Sequence, residues 1–244
     1  MTMTIANKTV LVTGANRGIG KALAEEALKR GAKRVYAGAR QPLAHLDGRV
    51  TPLTLDVTNA DQIQAAVGGV ESLDILINNA GLAFNDDLSD RAALERHLAV
   101  NLFGTYAVTQ AFLPSLTRSR GAIVNVLSVA ALAALPVIPA YSISKAAAFS
   151  LSQSLRALLA GREVKVHAVL PGPVDTEMAR GLEVQKASPE SVARAIFDGV
   201  EKGEDDIFPD PMSQSLAEGW RSGAIKALER QFASFVPGSA SKVA

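Results

Sequence analysis

A tyrosine and a lysine four residues apart, Tyr141 and Lys145, form the pair in this chain best suited to chemistry. On a helix the two side chains share a face, because four residues make about one turn. A neighbouring ammonium favours the phenolate, so we expect the pKa of Tyr141 to fall below its reference value of about 10. With Ser128 thirteen residues upstream, the pair predicts a proton-transfer centre in which the phenol is general acid or base.

A glycine-rich segment near the N-terminus can hold the phosphates of a dinucleotide. Residues 13–20 read Thr-Gly-Ala-Asn-Arg-Gly-Ile-Gly and lie between a predicted strand and a predicted helix. The glycines permit a tight turn, and the helix N-terminus offers free N–H groups to a pyrophosphate. The spacing is Gly-x3-Gly-x-Gly and not the more familiar Gly-x-Gly-x-x-Gly. Together with the Tyr-Lys pair, this segment favours an enzyme that moves a hydride and a proton between a nicotinamide cofactor and a carbonyl or alcohol.

The residues after the second predicted strand bear on the choice of cofactor. In dinucleotide sites an acid at this position binds the ribose 2′-OH, whereas arginine suits a 2′-phosphate. Here the strand ends Ala-Gly-Ala-Arg, with Arg40 and no acid. Arg17 in the glycine segment can reach the same corner, and guanidinium pairs well with phosphate. These residues favour NADP(H) over NAD(H), although each arginine alone could be a solvated surface residue.

The composition is that of one α/β domain, with nothing that indicates a nucleic-acid or membrane partner. The chain has 244 residues, 48% of them hydrophobic, and a net charge of +1, which points neither to nucleic acid nor to a membrane surface. It has no cysteine, which excludes disulfides and fits a cytoplasmic location, and its start lacks the apolar run of a signal peptide. The three histidines, His45, His97 and His167, lack metal-ligand spacing. We interpret them as surface or core-edge residues and predict no metal.

Strand and helix patterns alternate along the chain. Strands are predicted at residues 9–13, 35–38, 53–55, 74–77, 121–127, 164–170 and 206–208. Helices are predicted at 19–30, 59–70, 92–116 with a bend or end near Pro114, 141–159 and 188–200, with Asn59 and Ser188 as N-caps. Alternation predicts a Rossmann-like, doubly wound parallel sheet of about seven strands, in a single domain over 1–244 with its core at about 8–209. Such sheets bind ligands at the carboxyl ends of their strands, so Gly14, Asn79, Ser128 and Gly172 should line one crevice.

Several motifs occur in one characteristic order over about residues 8–208. They are the glycine segment, Asp56-Val57, Asn78-Asn79-Ala80-Gly81, Asn101, Ser128, Tyr141-x3-Lys145 and Pro171-Gly172-Pro173-Val174-Asp175-Thr176. In this order and spacing the chain resembles the short-chain dehydrogenase/reductase family, of the Tyr-x3-Lys type and its NADP-preferring branch.

The resemblance implies a role for each motif. Tyr141 would donate the proton in reduction, and Lys145 would bind the nicotinamide ribose and lower the pKa of Tyr141. Ser128 would hydrogen-bond the substrate oxygen, and Asn101 would hold a water that links Lys145 to solvent. Asn78 is interpreted as a structural tie between strands, and Asp56 could simply begin a turn. The residues implied at the cofactor are Gly14, Asn16, Arg17, Gly18, Ile19, Gly20, Arg40, Asp56, Val57, Asn79, Ala80, Gly81, Tyr141, Lys145, Pro171, Gly172, Val174 and Thr176.

Two apolar segments flank the expected nicotinamide position. Residues 129–138 carry no charge, and Leu82, Ala83 and Phe84 follow the Asn-Asn-Ala-Gly turn. If both line the pocket, it suits an apolar, aryl or bulky ketone or aldehyde. Plain core packing is nearly as good an explanation. Only about ten residues separate Met178 from Ser188, which suggests a small lid and an open site.

The C-terminal part departs from the family pattern. Residues 212–236 form a helical extension with an apolar stripe of Leu216, Trp220, Ala224, Leu228 and Phe232, although Gly219 and Gly223 weaken the helix. The stripe could cover its own subunit, close over the site or contact a neighbour. The family resemblance implies a homodimer or homotetramer, and the extension puts a second interface in doubt. Residues 237–244 suggest a loose tail.

Three functions remain open from the sequence. The preferred one is an NADPH-dependent carbonyl reductase that works reversibly. The second is an NAD-linked alcohol or hydroxysteroid-type dehydrogenase working oxidatively. The third is a catalytically silent NADP(H)-binding regulator, which the presence of Ser128, Tyr141 and Lys145 disfavours. An enoyl reductase fits less well, because that branch usually spaces its tyrosine and lysine by seven positions.

Overall fold

A seven-stranded parallel sheet forms the centre of the protein. The computed structural model describes residues 3–42 and 44–236. The strand order is β3-β2-β1-β4-β5-β6-β7, and every neighbouring pair is parallel. The strands are β1 Thr9–Thr13, β2 Arg34–Ala39, β3 Val50–Thr54, β4 Ile75–Asn78, β5 Ala122–Val126, β6 Lys165–Val169 and β7 Asp206–Ile207. The predicted doubly wound sheet is confirmed, and its order reverses between β1 and β4.

Helices cover both faces of the sheet. They are α1 Gly18–Lys29, α2 Ala60–Gly69, α3 Arg91–Leu98, α4 Thr105–Ser119, α5 Pro139–Leu159, α6 Pro189–Lys202, α7 Pro211–Ser222 and α8 Ala224–Ala233. The predicted N-caps are confirmed: Asn59 accepts a hydrogen bond from the backbone of Gln62, and Ser188 accepts one from Ser191. These bonds satisfy N–H groups that a helix cannot pair internally.

Alternate residues of β1 face two separate cores. Val10 and Val12 pack with α1 and α6, whereas Leu11 packs on the opposite face with α2, α4 and α5. Because both faces are buried, the strand reads as one continuous apolar run. The fully buried side chains Phe112 and Phe197 lie one in each core. Each such side chain contributes roughly 1.5–3 kcal/mol of hydrophobic stabilisation.

The predicted helix 92–116 is interrupted at a different place from the one expected. An end near Pro114 is wrong, since α4 runs through this proline to Ser119. Pro114 faces solvent, and the buried residues Phe112 and Leu116 hold the turns on either side against the sheet. The interruption is a π-helical segment, Ala99–Gly104, between α3 and α4. Wide turns of this kind are frequent at functional sites.

The C-terminal extension forms two helices and not one. α7 ends at Ser222 and α8 begins at Ala224, because Gly223 adopts an extended backbone. Lys226 of α8 is buried and pairs with Asp206 of β7 at 2.6 Å and with Glu229 at 3.0 Å. Arg156 of α5 contacts the same two carboxylates. The extension therefore covers its own subunit at the β7 edge, while the predicted tail 237–244 lies outside the described residues.

No helix within residues 3–42 and 44–236 combines the length and the apolar character that crossing a bilayer demands.

Candidate active site

A large crevice opens at the carboxyl ends of the strands, where the predicted site residues meet. Its lining includes the residues that follow each of the first six strands. Every residue implied at the cofactor by the resemblance lines this crevice, together with Ser128. Asn101 lies behind the wall and is absent from the lining.

The glycine segment forms a tight turn between β1 and α1. Gly14 and Gly18 have positive φ angles of 67° and 53°, which glycine adopts without strain. A Cβ on Gly20 would lie 2.1 Å from the carbonyl oxygen of Gly14, so no larger residue fits there. The first turn of α1 has neither an acidic residue nor a side-chain cap, and it lines the crevice. Its free N–H groups and partial positive charge fit the pyrophosphate of a dinucleotide.

Asn79 holds this turn against the end of β4. Its side-chain amide donates to the carbonyl oxygens of Thr13 at 2.9 Å and Gly14 at 3.2 Å. The Thr13 hydroxyl in turn accepts from the backbone N–H groups of Asn79 and Ala80, both at 3.0 Å. The amide of Asn79 is thus used to build the crevice floor. Asn78 ties strands as predicted, since it donates to the buried side chains of Asn125 and Thr109.

The Tyr-Lys pair lies on α5, with both side chains buried. Burial raises the pKa of Tyr141 to about 12, and a side-chain hydrogen bond with Ser128 acts in the opposite direction. Burial also lowers the pKa of Lys145 to about 8. The Lys145 ammonium lies 5.6 Å from the Tyr141 ring centroid and donates to the carbonyl oxygen of Val126 at 2.9 Å. The expected fall in the Tyr141 pKa is therefore wrong for this structure, because desolvation outweighs the polar neighbours.

Asn101 lies in the π-helical segment beside the lysine. Its amide donates to the carbonyl oxygen of Leu82 and to the Ser144 hydroxyl, and its oxygen accepts from the Leu82 N–H. A Cβ on Gly81 would lie 3.2 Å from the Asn101 oxygen and 3.6 Å from the Lys145 nitrogen. The side chain thus fixes the loop after β4 next to Lys145. The water that the resemblance implies here remains a prediction.

His97 and His167 are buried, so their interpretation as surface or core-edge residues is wrong. The His97 ring packs 4.2 Å from that of Phe84 and 6.4 Å from that of Tyr141, between centroids. Its Nδ1 pairs with the carbonyl oxygen of Ala93, while its Nε2 is buried without a partner among the described residues. Sequence reasoning missed this support of the tyrosine. The available signal was its position one helical turn before Asn101.

Arg17 and Arg40, the two arginines predicted to bind the 2′-phosphate of the cofactor, have different surroundings. Arg17 forms an ion pair with Glu177, which lies across the crevice beyond Thr176. Arg40 is exposed at the end of β2, and its charge adds to the hydrogen bonds from Thr58 that keep the pKa of Asp56 below its ordinary value. Glu177 was not singled out from the sequence, and only the folded arrangement brings it to Arg17. The Asp56 carboxylate accepts from the backbone and hydroxyl of Thr58, as expected of a turn residue.

One side of the crevice is apolar. Residues 133–137 are exposed, and all of them except Pro136 line the crevice, so core packing is the wrong explanation for this part of the segment. Residues of α7 also line the crevice, so the extension both covers its own subunit and borders the site. We call the larger apolar side chains of this lining the apolar wall; they include Leu82, Phe84, Leu132, Leu135, Met178, Leu182, Met212, Leu216 and Trp220.

A parallel sheet with a glycine turn, a helix N-terminus and a buried Tyr-Lys pair at one crevice defines an α/β oxidoreductase with a dinucleotide site. Comparison with known proteins gives the family. The model of the family described as short chain dehydrogenase matches residues 8–187. The chain therefore belongs to the short-chain dehydrogenase family, whose members use a nicotinamide cofactor.

Individual relatives agree with this placement. The chain is 37% identical over 212 residues to 2-(S)-hydroxypropyl-CoM dehydrogenase 3 of Xanthobacter autotrophicus, covering 80% of this chain and 83% of that protein. It is 36% identical over 209 residues to the 3-oxoacyl-[acyl-carrier-protein] reductase FabG of Thermotoga maritima, covering 79% and 84%. A short chain dehydrogenase from Burkholderia cenocepacia, solved in complex with NADP, superimposes with a TM-score of 0.86 at 39% identity, covering 94% and 98%.

Proposed function

We propose that the protein is an NADPH-dependent carbonyl reductase that converts an apolar, aryl or bulky ketone or aldehyde reversibly to the alcohol. The observation that carries this proposal is that Tyr141, with Ser128 and Lys145 beside it, lines the same crevice as the glycine segment and the side chains of the apolar wall. A carbonyl compound with an apolar substituent matches that wall, since apolar surface binds apolar surface.

Each of the three polar side chains has a distinct task in the proposed reaction. When bound, a nicotinamide cofactor supplies the hydride. The Ser128 hydroxyl donates a hydrogen bond to the substrate oxygen, which becomes more negative as the carbonyl is reduced. The Tyr141 phenol then transfers its proton to that oxygen. The Lys145 ammonium, 5.6 Å from the ring, stabilises the phenolate that remains.

The reductive direction needs Tyr141 as a proton donor, and its pKa, raised by burial to about 12, lies far above neutral pH. At neutral pH the phenol is protonated, which is the form that a proton donor needs. Oxidation requires the phenolate as base, and forming it in this buried site is costly unless Lys145 is charged. The same residues serve both directions, and conditions decide which one runs.

NADP(H) is the proposed cofactor. Arg17 and Arg40 line the crevice, and no acid follows β2 to bind a ribose 2′-OH. Gly14, Asn16, Gly18, Ile19 and Gly20 would hold the pyrophosphate. Asp56, Val57, Asn79, Ala80 and Gly81 would border the adenosine, and the residues from Pro171 to Thr176 would face the nicotinamide. The NADP complex of the Burkholderia protein supports this choice.

We also propose that the chain forms a homodimer or homotetramer. Phe103, Tyr106 of α4 and Ile143 of α5 are 60%, 48% and 41% exposed, and exposed apolar side chains of this size can pack against a second copy of the chain. Light scattering would measure the assembly, and a monomer at micromolar concentration would contradict it.

The first experiment measures consumption of NADPH and NADH by absorbance with a panel of alkyl and aryl ketones, aldehydes and diketones. In the reverse direction it measures formation of NADPH and NADH from the oxidised cofactors with the corresponding alcohols and one polyol. Turnover of aryl and bulky ketones with NADPH well above NADH supports the proposal. Faster oxidation of the alcohols with NAD⁺ than with NADP⁺ would favour an oxidative dehydrogenase. Tight cofactor binding without turnover of any compound would favour a regulator. Tyr141→Phe protein, run in parallel, shows whether the consumption arises at this site.

A further inference from the structure

We propose that Asp210 is a positioning residue. It joins α7 to the turn at Pro171 and Gly172 and thereby sets the position of the part of the apolar wall that α7 supplies. The inference rests on the proposed function, because it assigns the wall to the bulky group of the substrate. Asp210 lies outside the matched family region, which ends at residue 187.

The carboxylate of Asp210 is buried and joins two elements that are distant in sequence. The side chain is 2% exposed. One oxygen accepts from the backbone N–H of Gly172 and from the Ser213 hydroxyl, both at 2.8 Å. The other accepts from the backbone N–H of Ser213 at 3.0 Å and thus caps α7. Asp210 forms no ion pair with any of the described residues. These hydrogen bonds therefore stabilise its carboxylate.

The same turn continues to the catalytic serine segment. The carbonyl oxygen of Pro171 accepts a 3.0 Å hydrogen bond from the N–H of Val129, which follows Ser128. Asp210 and Ser128 are therefore linked through two hydrogen bonds and two peptide units, Pro171–Gly172 and Ser128–Val129. A shift of the α7 N-terminus would move both the turn and the segment that carries Ser128.

Met212 and Gly172 fit against each other at this junction. A Cβ on Gly172 would lie 2.7 Å from the Met212 sulfur and 2.9 Å from an Asp210 carboxylate oxygen. Met212 and Leu216, one turn later in α7, line the crevice. At the other end of α7, the Trp220 indole donates to Asp206 at 2.8 Å. The helix is thus held at both ends, and Asp210 holds the end nearest the reacting groups.

The principal variant is Asp210→Asn, which removes the hydrogen bond from Gly172 but keeps the one that caps α7. Asparagine is as good an N-cap as aspartate, so α7 keeps its first turn. However, an asparagine oxygen that caps Ser213 turns its NH2 group toward the N–H of Gly172, and two donors cannot bond. Ser213→Ala is the complementary variant, because it leaves the Asp210–Gly172 bond in place. The matched control is Asp90→Asn, the same change at the N-cap of α3, where Asp90 accepts from Ala92.

The kinetic measurement compares KM and kcat for a small and a bulky ketone with saturating NADPH. In Asp210→Asn we expect KM for the bulky ketone to rise about tenfold, because the loss of one buried hydrogen bond has about that effect. KM for the small ketone should stay within about twofold. Ser213→Ala and Asp90→Asn should leave the ratio of the two KM values unchanged even if they lower Tm. A ratio that is equal in Asp210→Asn and wild type overturns the inference.

A second measurement does not depend on activity. Amide hydrogen exchange, followed by mass spectrometry in peptides over residues 128–133 and 170–175, should be faster by about tenfold or more in Asp210→Asn and unchanged in Asp90→Asn. Unchanged amide exchange in Asp210→Asn would contradict the proposed link between Asp210 and Gly172, whatever the substrate is. If exchange is faster in Asp210→Asn but the wild-type protein reduces no ketone, the link between Asp210 and Gly172 is upheld, its assignment to ketone specificity is overturned, and the proposed function has failed.

Discussion

The ammonium of Lys145 donates a 2.9 Å hydrogen bond to the carbonyl oxygen of Val126, the last residue of β5. This bond ties the helix that carries the Tyr-Lys pair to the centre of the sheet and fixes the ammonium 5.6 Å from the Tyr141 ring centroid. The lysine is only 5% exposed, so its charge is poorly solvated and its pKa falls to about 8. The charge state of this lysine, and with it the acidity of Tyr141, therefore depends on the packing around it.

The free energy of unfolding should depend on pH because Lys145 is buried. Because its folded-state pKa of about 8 lies below the ordinary 10.5, the unfolded chain binds more protons between these values. Stability then rises with pH through this window. Lys145→Met lacks this gain, so between pH 7 and 10 it should lose about 1–3 kcal/mol relative to wild type. Urea denaturation at both pH values measures it, and a constant difference between the two proteins would contradict the assigned pKa.

Replacing Tyr141 by phenylalanine should abolish turnover while leaving NADPH binding intact. The phenol proton is the one transferred, and loss of a general acid costs about 10²–10⁴-fold in rate. NADPH binding followed by fluorescence should change by less than about twofold, because the ring remains in place. Tyr106→Phe is the control, since that tyrosine is exposed on α4 and outside the crevice. Retained activity in Tyr141→Phe would remove the residue from the mechanism.

Arg40→Asp should shift cofactor preference from NADPH toward NADH. The change removes a guanidinium that suits the 2′-phosphate and installs the acid that binds a 2′-OH. We expect the ratio of kcat/KM for the two cofactors to move by about tenfold or more, as for loss of a charged hydrogen bond. Arg34→Asp, at the amino end of the same strand, is the control and should leave the ratio unchanged. An unmoved ratio in Arg40→Asp would make the cofactor assignment wrong.

Lys226→Met should destabilise the protein by about 3–5 kcal/mol, because it leaves buried carboxylates without one of their cations. Lys226 is 3% exposed and contacts Asp206 and Glu229. Burial alone would raise the pKa of Asp206, but the charges of Arg156 and Lys226 outweigh it and keep that pKa below its ordinary value. Chemical denaturation measures the loss, and limited proteolysis around Gly223 reports release of α8. Arg230→Met, an exposed position on the same helix, should change stability by less than about 0.5 kcal/mol.

Much of the architecture could be predicted from the sequence because it depends on local patterns. Short apolar runs marked the strands, and capping residues such as Asn59 and Ser188 marked two helix starts correctly. The glycine segment can adopt the positive φ angles of a tight turn without strain, so its place between β1 and α1 could be predicted from the residue types. The strand alternation also indicated that the predicted site residues would meet at one edge of the sheet, since parallel strands share that edge.

Other features depend on contacts between residues far apart in the chain, which no local pattern encodes. The Tyr141 pKa rises because surrounding segments exclude water, whereas four-residue spacing alone suggested a fall. Asp210 and Gly172 are 38 positions apart, and Arg17 meets Glu177 only across the folded crevice. Gly223 is a local signal for a break in the extension, but only the folded chain brings Lys226 of α8 to Asp206 at the β7 edge. Desolvation and long-range pairing arise only when the elements pack together, so periodicity and motif spacing located the reacting groups but not their surroundings.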